Sequence, residues 1–362
     1  MTVLFIAQYG PQAASSRTRL FDYLPSLRSA GVTADVLIVV PDTWVHRLNA
    51  GGRANRLLYY AFAWLRTWVV GLSCLARAQN YDVLFIQKVL FPAPVAYLLR
   101  RCRSKVLFDF DDAIFTLERV GSGWLNRLRA WRRRGGLPAM LRSAQCAVVE
   151  NAYTADYAKQ FCPQVLRITG PIDTERYAPM DHASDGNIVL GWIGSPTTTP
   201  YLEMIREPLE VLARKYPGLR LHLIGASPFD IGALPVETRP WDLATEIGHL
   251  SRFDIGLMPV PDDAFTRGKG GYKLLQYMAM GLPVVASPVG INREIVDNGK
   301  NGFWAETPGE WEKSLSRLIE DADLRREMGA AGRMKMEREF SLQQGSKRLF
   351  EVIQSMVRSS KG

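Results

Sequence analysis

Apolar and polar residues alternate along this chain in short blocks. In the first half, uninterrupted or nearly uninterrupted apolar runs fall at residues 3–7, 34–40, 83–87, 106–110 and 147–150. Runs of this length, bounded by turn formers, predict strands buried on both faces. Between them, residues 17–29, 55–78 and 92–101 repeat their apolar positions every three or four residues, which predicts helices. The second half repeats the theme, with strands expected at 188–193, 219–224, 255–259 and 283–286 and helices at 200–215, 243–251 and 272–280. Strands alternating with helices imply parallel sheets covered on both faces. Residues 170–186 hold Pro171, Pro179, Asp181, Ser184 and Asp185 without periodicity and mark a boundary. From residue 308 onward the pattern is helical, with a break at 340–342 before a last helix ending near 357.

Residues 267–292, RGKGGYKLLQYMAMGLPVVASPVGIN, concentrate the chemistry of the second half. Gly268, Gly270 and Gly271 let backbone approach a ligand without a Cβ in the way. The helix expected from Tyr272 then offers free N–H groups and a partial positive charge, which suit a diphosphate. Arg267, Lys269 and Lys273 add three cations within seven residues. An ordinary helix–strand unit with a flexible loop has the same spacing.

The stretch MAMGLPVVAS at 278–287 is similar to the donor-binding segment of two-domain retaining glycosyltransferases of the family-4, or group 1, type. The resemblance implies the GT-B fold: two Rossmann-like, doubly wound α/β domains facing across a cleft. It places an N-terminal acceptor-binding domain at 1–172, a nucleotide-sugar-binding domain at 173–340, and a final helix at about 341–360 packed back on the first domain. PIDTERYAP at 171–179 resembles the family's connector. Such enzymes carry an acidic pair eight residues apart; here its positions hold Gly268 and Gln276. Gln276 keeps the capacity to hydrogen-bond a ribose hydroxyl. The family also supplies an arginine and a lysine from the first turn of the second domain. GWIGSPTTTPYLE at 191–203 has neither, so Arg267, Lys269 and Lys273 are expected to neutralise the diphosphate in their place. Gly194, Ser195, Gly270, Gly271 and Tyr272 complete the expected donor site, with Asp262 and Asp263 as sugar-facing or turn residues. His222 and His249 stand alone and read as structural.

In the first half, KVLFDFDDAIF at 105–115 puts Asp109, Asp111 and Asp112 at the carboxyl end of a strand, where open parallel sheets hold ligands. Carboxylates so close raise one another's pKa unless a cation or sugar hydroxyls intervene. The resemblance makes Asp111, with Asp112 in support, the expected catalytic or sugar-contacting residue. The same residues resemble the nucleophile motif of Mg²⁺-dependent haloacid-dehalogenase-type phosphatases, with Asp109 as nucleophile and Asp111 as acid/base. That motif wants Thr or Val where Ala113 stands and normally opens its domain. The loop QYGPQAASSRTR at 8–19 offers Gly10 and Arg17 to the acceptor or the donor phosphates, and Ser15 or Ser16 as a helix N-cap.

Charge divides the two halves. The chain has 45 Lys and Arg against 36 Asp and Glu, net +9; residues 1–172 hold 22 and 10 of these, net +12, leaving −3 for the rest. A one-sided basic domain expects an anionic partner. WLNRLRAWRRRGGLPAMLR at 124–142 fits a membrane-interface helix or a solvated arginine face. No nucleic-acid motif accompanies the charge. Residues 57–76 are apolar apart from Arg66, long enough to span a bilayer, yet a central arginine costs about 2.5–3.5 kcal/mol there. Packing on the sheet, with one exposed aromatic face, is the expectation. Cys74, Cys102, Cys146 and Cys162 lack metal or disulfide spacing and read as buried thiols of a reducing compartment. MTVLFIAQYG has no charged leader and enters a strand directly.

The expected activity is therefore transfer of a sugar from a nucleotide-diphosphate sugar, a UDP-sugar by expectation, to a polysaccharide, cell-envelope or lipid-linked acceptor. The resemblance implies retention, no metal and no further cofactor. The expected location is cytoplasmic, at the inner face of a membrane. A phosphatase using Asp109 and Asp111, a sugar-nucleotide epimerase of the same fold and a non-catalytic protein that holds nucleotide are the alternatives.

Overall fold

The computed structural model describes residues 1–49, 51–116, 124–180 and 186–358, with side chains left undescribed at 46, 48, 49, 53 and 124–133. The chain forms two compact units. Unit 1 comprises Met1–Pro171, Gly268–Gly270 and Leu342–Gly362; unit 2 comprises Ile172–Arg267 and Gly271–Ser341.

Unit 1 is built on six strands, β1 (Thr2–Tyr9), β2 (Thr33–Val40), β3 (Val83–Gln87), β4 (Lys105–Asp109), β5 (Cys146–Val149) and β6 (Gln164–Arg167). All pair in parallel, in the order β2-β1-β3-β4-β5-β6. Val3–Ala7 of β1 and all of β3 are fully buried because helices cover both faces of the sheet. On one side Leu349, Ile353 and Met356 of the last helix, Leu342–Arg358, pack with Phe5 and Phe85. On the other the helices Arg53–Arg77, Ala93–Leu99 and Trp124–Ser143 contribute Tyr59, Val95 and Leu137. Each fully buried side chain of this size stabilises the unit by about 1.5–3 kcal/mol.

Unit 2 repeats the plan with β7 (Ile188–Ile193), β8 (Leu219–Ile224), β9 (Val236–Arg239), β10 (Ile255–Met258), β11 (Val284–Ala286) and β12 (Gly302–Trp304). Their order, β12-β11-β10-β7-β8-β9, is again parallel throughout. In both sheets the order reverses beside the first strand, between β1 and β3 and between β7 and β10. Open α/β sheets bind ligands at the strand carboxyl ends flanking such a reversal.

Two expectations are corrected, and a third, a sheet-packed helix with one exposed face at 57–76, holds. The stretch 17–29 is not one helix but Ala14–Arg19, a 3₁₀ turn at Phe21–Tyr23 and Leu24–Ser29. Leu20 breaks it at φ −142°, and Pro25 restarts it at a position that needs no N–H. β6, β9 and β12 lacked the continuous apolar signal. Finally, the helix Arg53–Arg77 seats Tyr59, Val70 and Cys74 in the core but leaves much of its length in solvent; in its most apolar window 28% is buried. The arginine pattern at 124–133 lies outside the described side chains.

Candidate functional site

At the carboxyl ends of β1, β3, β4 and β5, unit 1 gathers six ionisable groups from four places in the sequence. Arg19, at the end of its short helix, is 1% exposed. Its Nε donates to Asp109 Oδ1 at 3.2 Å and a second nitrogen to Asp109 Oδ2, forming a two-pronged pair. Its Nη1 also donates to the carbonyls of Ile168 at 2.5 Å and Gly170 at 3.0 Å and lies 3.5 Å from Glu150 Oε1. Lys88, the residue after β3, places Nζ 2.5 Å from Asp111 Oδ1 and 3.7 Å from Asp112 Oδ2. Among the described residues, Lys88 and Asp112 are the non-glycine positions with left-handed φ, 60° and 54°. Strained backbone of this kind persists where surrounding contacts over-determine it, and it clusters at functional sites.

Four carboxylates share two cations here, and their protonation divides accordingly. Burial pushes Asp109 up to about 6 against the pull of Arg19, so it stays charged at neutral pH. Burial pushes Glu150 further, to about 8, because Arg19 is already committed to Asp109 and Asp111, Asp112 and Asp109 repel a further charge. For Asp111 burial also acts upward, but Lys88 and a hydrogen bond from Ser15 outweigh it and hold the carboxyl below its ordinary range. Glu150 is thus the carboxyl of the cluster that keeps its proton to the highest pH.

The glycine segment Gly268–Gly270 belongs to this unit. A Cβ on Gly270 would overlap Glu150 Oε2, and one on Gly268 would run into Ala113 Cβ. Asn151, which caps the helix Ala152–Ala158, donates from Nδ2 to the Lys269 carbonyl at 2.9 Å. These glycines make room for the carboxylate cluster rather than for a ligand alone.

Gly10 is constrained in the same way, since a Cβ there would collide with the Asp42 carboxylate. Arg17 is buried and donates to the Gln12 carbonyl at 3.3 Å. Neither Ser15 nor Ser16 caps the helix; Ala13 holds that position without a side-chain bond. Instead Ser16 Oγ donates to Gln87 Oε1 at 2.8 Å and Gln87 Nε2 to Ser15 Oγ at 3.2 Å, tying the helix to β3.

In unit 2 the helix Tyr272–Ala279 begins at Gly271, whose φ of 67° an L side chain would resist. One turn in, Lys273 lays Nζ 3.8 Å from the centroid of the buried Trp192 ring. A Cβ added to Gly194 would lie 2.7 Å from that ammonium, so Lys273 reaches the turn after β7, where Ser195 Oγ meets Thr197 Oγ1 at 2.9 Å. Arg267 does not converge with it: its guanidinium forks onto Asp262 at 2.6 and 3.1 Å on the exposed surface. Asp263 caps Thr266 N at 2.7 Å. The expectation that Arg267, Lys269 and Lys273 form one cradle is therefore corrected for Arg267, which is committed to Asp262, while Lys273 lies beside the β7 turn. Gln276 is buried, and its Nε2 donates to Tyr177 Oη at 3.3 Å. Tyr177 Oη and Trp241 Nε1 both donate to the carboxylate of Glu246, also buried. Gln276 thus reads as a support for this network.

Asp109 is 1% exposed with both oxygens on Arg19, an arrangement that leaves no free oxygen for a nucleophile. Among the described residues, no group of three or more His, Cys, Asp or Glu is arranged to hold a metal ion.

Residues 187–321 match the family model described as "Glycosyl transferases group 1". Over 80 residues the chain is 30% identical to spore coat protein SA of Bacillus subtilis (strain 168), a match spanning 21% of this chain and only about a fifth, 21%, of that relative. Among solved structures, sucrose-phosphate synthase from Thermosynechococcus elongatus superposes with a TM-score of 0.70 at 14% identity, covering 99% of this chain and 100% of that one. Anabaena HepE in complex with UDP-glucose gives 0.66 at 15%, covering 98% and 100%. A glycosyltransferase from Rickettsia africae gives 0.68 at 13%, covering 98% of each. The chain thus carries, over most of its second unit, a segment similar to the group 1 glycosyltransferases, and its two units have the fold of the GT-B structures they superpose on.

Proposed function

We propose that the protein transfers a sugar from a nucleotide-diphosphate sugar, a UDP-sugar, to a cell-envelope, polysaccharide or lipid-linked acceptor. The observation that carries this reading is the convergence of Lys273, the Gly271-initiated helix and the Gly194–Ser195 turn beside the β7/β10 reversal. Backbone N–H groups at a helix start and an adjacent ammonium are the groups that hold a diphosphate. They also stabilise the charge that grows on it as the glycosidic bond breaks. That Anabaena HepE is solved with UDP and with UDP-glucose supports a uridine donor.

Unit 1 is the acceptor-binding unit in this reading. Asp111, held ionised by Lys88, and Asp112 beside the same ammonium accept hydrogen bonds from sugar hydroxyls, and the departing diphosphate takes the acceptor proton. Retention of anomeric configuration and independence of metal follow from that route, in which no carboxylate forms a covalent intermediate. The enzyme works on the cytoplasmic side of a membrane, as the basic first half favours. The phosphatase alternative conflicts with the closed Arg19–Asp109 pair.

Thermal shifts with UDP, GDP, ADP, CDP and dTDP, with and without Mg²⁺, test the donor. A nucleotide at 100 times its Kd adds about 2.7 kcal/mol of stability. Stabilisation by UDP without Mg²⁺ is the expected result, and Lys273→Ala is expected to lower donor turnover about 100-fold with the fold intact. Response to Mg²⁺ alone overturns the reading. Conversion of the donor sugar with no acceptor present assigns the epimerase instead.

A further inference from the structure

The helix Arg53–Arg77 presents two apolar sides. One seats Tyr59, Val70 and Cys74 in unit 1, each no more than 5% exposed. The other carries Leu57, Leu58, Trp64, Leu65, Val69 and Leu72, all between 47% and 56% exposed. At 100° per residue these positions fall within one continuous arc, which also takes in Ala61 and Ala76. Arg66 is the one charged residue between positions 57 and 76, and its guanidinium turns away to donate to the Ile38 carbonyl at 3.0 Å. Tyr97 and Leu98 of the neighbouring helix Ala93–Leu99, also about half exposed, extend the patch. Trp64 stands in the wall of a cavity of about 660 Å³ shared with Trp68, Phe91, Pro92 and Arg134, so the apolar surface continues inward. A water-facing helix side is ordinarily polar, and a contiguous apolar patch marks a surface that something covers.

Charge identifies what covers it. Arg56 and Arg77 lie at the two ends of the helix, and Arg100, Arg101 and Arg103 follow the Ala93–Leu99 helix, all exposed. No Asp or Glu occurs between Asp42 and Asp82, nor between Asp82 and Asp109. A second copy placed face to face would bring this arginine ring against itself with no acid to pair. Crossing a bilayer would strip Tyr59, Val70 and Cys74 from the core. A surface that supplies hydrocarbon and negative charge together satisfies both halves of the patch.

We propose that this face docks unit 1 on an anionic lipid bilayer, the arc from Leu57 to Leu72 entering the acyl–headgroup boundary and the arginines lying among the headgroups. Of the arginine-rich stretch at 124–142 that the sequence first marks, Arg134 lines the adjoining cavity. The docking face stands independently of the transferase reading, since it concerns where the chain sits and not what it transfers.

Co-sedimentation of the full chain with vesicles tests it, using phosphatidylcholine alone and phosphatidylcholine mixed equally with phosphatidylglycerol. Binding to the mixed vesicles, weakened by salt, is expected. Leu65→Glu combined with Leu72→Glu is expected to reduce it at least about tenfold while the unfolding transition and the UDP thermal shift stay unchanged. If that variant is poorly folded, Leu58→Gln with Val69→Gln serves in its place. Replacing Arg100, Arg101 and Arg103 with Gln is expected to remove most of the salt dependence. A folded chain that ignores mixed vesicles, or binds them equally well after the substitutions, overturns the proposal. So does a dimer that the glutamate variant dissolves. Loss of the UDP shift with vesicle binding intact would count against the transferase reading alone.

Discussion

The two sheets share a plan, yet their strand ends are finished in opposite ways. In unit 1 the carboxyl ends of β1, β3, β4 and β5 are closed by charge, with Arg19, Lys88, Asp109, Asp111, Asp112 and Glu150 paired side chain to side chain. In unit 2 the ends of β7 and β10 are finished by backbone and small residues, and one cation, Lys273, lies over an aromatic ring. A charge network in a dry site is self-satisfying and rigid. It holds hydroxyls and protons in fixed directions but leaves no net field for a diphosphate. A helix start with one ammonium beside it does the reverse, which is why the donor is proposed for unit 2.

The largest expected effect comes from opening the unit 1 network. Arg19→Met leaves Asp109 and Glu150 buried without their cation and is expected to cost about 3–5 kcal/mol, read as a lower urea midpoint. A cost below about 1 kcal/mol would mean that the cluster is hydrated and open like its counterpart.

Next is the glycine that lies against this charge network. Gly270→Ala drives a Cβ into Glu150 and is expected to cost about 1–3 kcal/mol. Adding Glu150→Ala should return most of it, because the clash is with that one carboxyl group. A double variant no more stable than the single one sinks this account of the glycine.

Third is pH. The folded chain holds a proton on Glu150 up to about 8, whereas an unfolded glutamate releases it near 4.5. Between these values the native state binds more protons, so stability falls as pH rises, by at most about 1.4 kcal/mol per unit, and levels off above. Asp109 adds a similar fall that ends near 6. Urea midpoints of Glu150→Gln are expected to decline only in the lower part of that range; a slope unchanged up to about 8 would place the titrating group elsewhere.

Smallest is Arg267→Ala. Its fork onto Asp262 is exposed at both partners, and such pairs contribute about 0–1 kcal/mol. Stability is expected to move by no more than that, with UDP affinity changed less than threefold. A loss approaching that of Lys273→Ala would restore Arg267 to the diphosphate.

The alternating apolar runs were sufficient to read the central strands β1, β3, β4, β7, β8 and β10, since a strand covered on both faces must be apolar at consecutive positions. Three of the four edge strands escaped, β2 being the one that was read. β6, QVLR, and β9, VETR, are only partly covered, so their polar residues erase the run, and β12 has three residues. The candidate site was half legible for a related reason. Asp109, Asp111, Asp112 and the 267–273 segment announce themselves as local clusters. Arg19, Lys88 and Glu150 are single charges whose partners are far along the chain, Arg19 reaching Asp109 across 90 residues and Glu150 across 131. Two of them did carry a signal, for Lys88 and Glu150 are the residues that follow β3 and β5.

By itself, then, the sequence determined the α/β alternation, the doubled parallel sheets and the glycine-led helix at Tyr272, all of which depend on neighbours within a few residues. Tertiary structure decided which charges close on one another. It assigned Gly268–Gly270 to the first unit, took Gln276 into a buried network with Tyr177, and left one apolar side of the Arg53–Arg77 helix in water. Those outcomes depend on which strand end or helix side meets which, and no local period encodes that, because burial and pairing are properties of the packed chain.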